Sequence, residues 1–163
     1  MQHKLSIGYK MLKSFLLALL TTLSLTAATF NVSTTPELRI ALNDAASNGQ
    51  EDTIVLADGT YKTTDDGQGT FIFLDNEAFN LTLIGSNSAN VILSGANQHQ
   101  IFNHKSTLNA PLKLEKLSFV DGYTGGNGGG VYTDYSIDVI DCNFTSNSSY
   151  GGAGFYSRNS NAT

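Results

Sequence analysis

Beyond position 50 the apolar residues fall into short alternating runs. TIVL, TFIFL, LTLI, VILS, IF, LKLEKLSFV, VY, IDVIDCNF and FY carry the chain from Thr53 to Tyr156, and Gly, Asn, Asp or Ser separates nearly every run from the next. A period of two marks a strand with one buried face. Most runs are shorter than an ordinary strand of about five to six residues and are closed by turn signals, so they predict many small corners rather than long hairpins. The preceding stretch, STTPELRIALNDAASNG, has another beat: Leu38, Ala41, Leu42 and Ala45 lie at i, i+3, i+4 and i+7, one face of a helix. Thr35 can cap it, Pro36 suits its first turn, Glu37 favours its positive end and Gly49 can terminate it. One amphipathic helix is predicted, from Pro36 to Ser47, and no second.

The strand runs repeat. Leu112 to Ile137, Leu114 to Val139, Leu117 to Cys142 and Phe119 to Phe144 are each 25 residues apart, while Gly130 to Gly154, Val131 to Phe155 and Tyr132 to Tyr156 are each 24. A looser copy, with Leu81 and Leu83, Val91 and Leu93, and Ile101 and Phe102, precedes them at offsets of 26 to 31. Ile54 to Tyr61 and Phe71 to Phe73 supply an irregular first turn. Three short strands per repeat in the twenties is the pattern of a parallel β-solenoid, whose coils bury their inward side chains only by stacking on one another. Equal offsets then become ladders, with Leu114 against Val139 and Phe119 against Phe144. The glycine beat is expected to mark corners with φ > 0, and stacked Asn side chains to hydrogen-bond along the coil axis.

Composition refines this picture at the N-terminus. Lys13 ends a basic stretch, SFLLALLTTLSLTAA is apolar and rich in small residues, and Thr26-Ala27-Ala28 offers a cleavage site. Residues 1–28 are therefore expected to be a signal peptide, starting from Met1 or from Met11, with 29–52 a cap segment carrying the helix and 53–163 the coils. The apolar run is shorter than the roughly 20 residues a membrane-spanning helix needs. Beyond Ala28 there are six basic and fourteen acidic residues, a balance of −8. Nucleic acid and anionic membrane surfaces are poor partners for such a chain. Cys142 is the one cysteine, which excludes an internal disulfide, and its place in an alternating run predicts a buried, unreactive thiol.

The segment FTSN, Phe144 to Asn147, followed by GGAG, Gly151 to Gly154, resembles the F-x-x-N and GGA(I/L/V) elements of chlamydial polymorphic outer-membrane protein repeats. One coil earlier, Phe119 is followed by Gly122 where Asn is expected, and GGGVY replaces GGA. More broadly, ALNDAASNGQEDTIVLADGTYKT followed by NLTLIGSNSANVILSG resembles the N-terminal opening of secreted right-handed β-helix proteins of the pectin-lyase-like superfamily. There the usual GDTI is stretched to Gly49-Gln50-Glu51-Asp52-Thr53-Ile54. These resemblances imply an all-β, right-handed parallel β-helix with a short capping helix, exported to the cell outer membrane or the medium, and an adhesin-like scaffold that presents itself to surface glycans or a neighbouring cell. The alternative they imply is a polysaccharide lyase or glycoside hydrolase with its catalytic coils elsewhere.

The residues favour the scaffold. A lyase needs carboxylates for calcium and an Arg or Lys base. Of Arg39, Lys62, Lys105, Lys113, Lys116 and Arg158, the first lies on the cap helix and the last in a closing loop, neither with an obvious place beside acids. Asp134, Asp138 and Asp141 could line one flank, yet alternation explains the latter two as outward, solvated positions. Asp65 and Asp66 in TTDDGQG read as a turn, and His99 and His104 as surface residues bracketing a short strand. Gly125, Gly126 and Gly128 fit a calcium-binding nonapeptide, but Gly130 stands where its Asp must be. The sequons at Asn31, Asn80, Asn143, Asn147 and Asn161 arise readily by chance in so Asn-, Ser- and Thr-rich a chain. No catalytic, cofactor-binding or metal-binding residue is assigned. The chain ends just after a strand without a cap, so further coils are expected beyond it, with self-association through the open last coil in their absence.

Overall fold

The computed structural model describes residues 27–106 and 108–158. The leader assigned to 1–28 therefore lies outside the described residues as far as position 26, as does the sequon at Asn161. The order is β1 (Ala28–Val32), α1 (Thr35–Ala45), β2 (Asp52–Leu56), β3 (Gly59–Lys62), β4 (Phe71–Asp75), β5 (Leu81–Ile84), β6 (Val91–Ser94), β7 (Phe102–Ser106), β8 (Leu112–Glu115), β9 (Ser118–Val120), β10 (Val131–Thr133), β11 (Ile137–Ile140), β12 (Asn143–Thr145) and β13 (Phe155–Ser157). They form three sheets, β1-β2-β5-β8-β11, β3-β6-β9-β12 and β4-β7-β10-β13. Every strand pairing is parallel. From β2 onward the chain visits the sheets in the same order each time, so the molecule is a parallel β-solenoid.

The registers are those the spacing predicts. Leu114 pairs with Val139, Phe119 with Phe144 and Val131 with Phe155. Three apolar ladders fill the interior: Phe30, Ile54, Leu83, Leu114 and Val139 from the first sheet, Tyr61, Leu93, Phe119 and Phe144 from the second, and Phe71, Phe102, Val131 and Phe155 from the third. β1 is a strand that the run-by-run reading does not contain. It extends the first sheet by one rung, and Phe30 packs partly buried against the core.

The helix closes one end. Thr34, not Thr35, is its N-cap: its hydroxyl accepts a hydrogen bond from the Glu37 amide at 3.3 Å. The Glu37 carboxylate in turn accepts from the amide and hydroxyl of Ser33, which holds it below the usual carboxylate range. Leu38, Ala41, Leu42 and Ala45 are buried, and the helix packs on β1, β2 and β4. The C-cap is Ala46, three residues ahead of Gly49.

The corners correct one expectation. Gly128 and Gly152, 24 apart, do have positive φ, yet the most regular left-handed corners carry other residues. Ala96, Asp121 and Ser146 (φ 53, 55 and 56) recur every 25 residues, as do Lys116 and Asp141 (φ 57 and 52). Lys116 and Asp141 split LKLEKLSFV into β8 and β9, and IDVIDCNF into β11 and β12. Much of the glycine beat has another cause. A Cβ on Gly122 would lie 2.1 Å from the Gly129 carbonyl oxygen, and one on Gly130 would lie 2.3 Å from that of Gly154. Backbone approaches backbone there, and no larger residue fits. The departure from F-x-x-N at Gly122 has the same origin. Asn147, one coil on, accepts from the Gly122 amide at 2.7 Å and donates to the Phe119 carbonyl at 2.9 Å. Asn147 thus bonds along the coil axis, to backbone rather than to another Asn.

Candidate functional site

Polar side chains gather at two places. The first is the clamp between the cap helix and the loop joining β3 to β4. Arg39 donates through Nε to Asp66 at 2.6 Å and through its two Nη groups to the carbonyls of Thr70 (3.1 Å) and Gly69 (2.5 Å). Its guanidinium lies 4.6 Å from the centre of the Phe71 ring. Thr35 donates to Asp65 at 2.8 Å. Arg39 and Asp66, which no spacing in the chain joins, are therefore partners, and Asp65 ties the same loop to the helix through Thr35. Arg39, followed by the amide of Gln68, holds the Asp66 carboxyl below its ordinary value. With every nitrogen of Arg39 bonded, this is a fastener, and the group is not free to take a proton from a substrate.

The second gathering is on the third sheet. Inward, Phe73, His104, Thr133 and Ser157 form one ladder across four strands. His104 is wholly buried, not a surface residue, because β7 runs to Ser106 and alternation turns position 104 inward. Its ring stacks on Phe73 at 5.5 Å and its Nδ1 lies 2.7 Å from Thr133 Oγ1. Burial, only partly opposed by Asp134, brings the imidazole down to about 4. Outward, Tyr132 and Tyr156 stack at 5.9 Å, Tyr132 donates to Asp134 at 2.7 Å, and Arg158 stands 3.8 Å from the same carboxylate. Burial, then Asp134, raises the Tyr132 phenol. A hollow beside this pair is lined by Ser106, Asp134, Tyr135 and Arg158.

Two buried carboxylates sit near the end of the helix. Asp52 accepts from Asn48 at 2.7 Å, and Asp75 accepts from Ser106 at 3.0 Å and from the Glu77 amide at 2.7 Å. Burial pushes both carboxyls up, with Glu77 adding repulsion. The remaining candidates are spread over the surface. Lys113 and Lys116 both contact Glu115, at 2.8 and 3.1 Å, while Asp138 and Asp141 are exposed on and beside β11. Lys62 and Lys105 are exposed, and His99 is half-buried, its Nδ1 3.2 Å from the Thr63 hydroxyl. Cys142, between β11 and β12, is half-buried rather than buried, since each of those strands has a neighbour on one side alone among the described residues. Burial still pushes its thiol up.

No group of three His, Cys, Asp or Glu among the described residues is placed to hold a metal ion. No helix among them is long and apolar enough to cross a membrane. Compared with known proteins, the chain matches no family model, no curated protein and no solved structure. Sequence reasoning missed the hollow because its lining comes from three successive coils. The 24-residue offset between Asp134 and Arg158 was a signal that could have found it, as it did for Tyr132 and Tyr156.

Proposed function

We propose that this chain is an exported bacterial β-helix scaffold, surface-bound or secreted, that presents a glycan-binding face and does not catalyse. The observation carrying the reading is the hollow on the third sheet. Asp134 and Arg158 neutralise one another beside stacked Tyr132 and Tyr156, an arrangement that offers hydroxyl, carboxylate and guanidinium partners to a hydroxylated ligand while leaving no free acid or base. Rigid parallel coils hold these groups at fixed spacing. The N-terminal apolar run supports export. The likeness of FTSN and GGAG to polymorphic outer-membrane protein repeats, and of the Leu38 to Gly95 stretch to the pectin-lyase-like superfamily, supports a right-handed coil and a surface role.

The test is a glycan array probed with the purified chain and with Arg158→Ala and Tyr156→Ala variants, run beside an assay for unsaturated products from polygalacturonate. Retention of a discrete set of glycans, weakened at least several-fold by either substitution, supports the reading. Product formation would overturn it in favour of a polysaccharide lyase, and absence of any glycan bound would remove the adhesive role.

A further inference from the structure

We propose that His104 is an acid-sensitive joint in the coil stack, holding β7 between β4 and β10 while neutral and forcing β7 and β10 apart once its ring is charged. The geometry of the ring carries this. His104 has no exposed surface, and its Nε2 is one of two buried side-chain polar atoms among the described residues without a hydrogen-bond partner, the other being Asn103 Oδ1. Thr133 Oγ1, 2.7 Å from Nδ1, also contacts the Tyr135 amide at 3.2 Å and its carbonyl at 3.4 Å, so it can accept from Nδ1–H or donate to a bare Nδ1. Once charged, the ring carries a proton on each nitrogen: Thr133 can accept from Nδ1–H, while Nε2–H is a buried donor with no acceptor.

The surrounding charges do not rescue that cation in place. On β4, Phe73 covers the ring, and Asp75, two residues on, already accepts from Ser106 and Glu77. Beyond β10, Asp134 is engaged by Tyr132 and faces Arg158, the cation that follows β13. On β7 itself, Lys105 is exposed and of like charge. To reach Asp134 the imidazolium must leave its stack on Phe73 and give up Thr133, which unlocks the ladder between the second and third coils.

The sign and the window follow from linkage. The folded-state value is below the ordinary 6.5, so the unfolded chain binds this proton first, and stability falls as pH drops from about 6.5 to about 4. The raised carboxyls of Asp52 and Asp75 act oppositely, adding stability as they protonate. The depressed ones, Glu37, Asp66 and Glu115, withdraw stability only at lower pH, below the ordinary carboxylate values. The experiment is a pH series on the full chain, following the side-chain nitrogen shifts of His104, with His99 as internal reference, together with amide exchange of β7 and β10. The expected result is a neutral ring until near pH 4, then charging accompanied by a joint loss of protection in both strands, and a melting temperature that stops falling between pH 6.5 and 4 in His104→Phe. A His104 that titrates near 6.5 with β7 and β10 still protected overturns the proposal. So does a His104→Phe protein that folds and keeps the wild-type slope.

Discussion

The two ends of the described coils carry the same inward pattern and bury it to very different extents. At the helix-covered end, Ile54 and Phe71 are wholly buried and Tyr61 nearly so, its hydroxyl placed 3.0 Å from the carbonyls of both Val32 and Ala57. In the last described coil, Val139 and Phe144 are only partly buried, and Phe155 is 38% exposed although Val131, its partner in register, is wholly buried. A strand in a stacked coil thus supplies the apolar face, and burial comes from having a neighbour on each side. Geometry within the stack is nevertheless maintained to the last rung: Phe119 and Phe144 lie 5.1 Å apart with their rings 9° from parallel.

The sharpest way to break the comparison is to cut the same ladder at two heights. Leu83→Ala, in the wholly buried middle, is expected to cost about 2 to 5 kcal/mol in urea unfolding, whereas Val139→Ala in the last described coil costs about 1 kcal/mol or less. Equal losses would mean that the end coil is as well packed as the middle. Next in size is the clamp. Arg39→Ala removes three charge-assisted bonds and a ring contact, for an expected loss of about 2 to 3 kcal/mol, and Arg39→Lys does not restore it because a point charge cannot make the three divergent bonds. The wild type also draws stability from Asp66 above its unfolded carboxylate value, lost as pH falls through the depressed folded one. That acid-side slope should shrink in Arg39→Ala thermal melts.

A smaller effect probes the junction between the last two coils. Asn147→Ala leaves the Gly122 amide and Phe119 carbonyl without their partner and should cost about 1 to 2 kcal/mol, with faster amide exchange at Gly122 as the local readout. Smallest is Cys142→Ala, expected within about 0.5 to 1.5 kcal/mol for a half-buried small side chain. Its thiol, pushed up by burial, should label slowly at neutral pH with a maleimide or disulfide reagent. Rapid labelling would place that rung in solvent.

Much of this molecule could be read from its residues because parallel, in-register stacking turns a sequence offset into a spatial neighbour. The 25 between Leu114 and Val139 and the 24 between Val131 and Phe155 are the strand registers themselves, and the i, i+3, i+4, i+7 face from Leu38 to Ala45 is the buried face of the helix. The same arithmetic fails where the partner obeys no repeat. Arg39 and Asp66, 27 residues apart, meet because the helix lies across the end of the first coil, a placement no periodicity encodes.

Position 104 is the instructive case. His104 looks polar and solitary in one dimension, and the two-residue IF run ahead of it hides the longer strand, so the backbone register alone turns its imidazole inward against Phe73 and Thr133. Likewise a glycine in the sequence states only that freedom or space is needed. That Gly128 uses the freedom, at φ +71, while Gly122 gives up its side chain to a carbonyl and to Asn147 is decided by which backbone lies alongside. Local alternation and constant offset encode the repeat, the inward and outward faces and the ladders. Burial, the clamp partners and the charge state of His104 come from stacking, which brings together atoms from residues tens of positions apart.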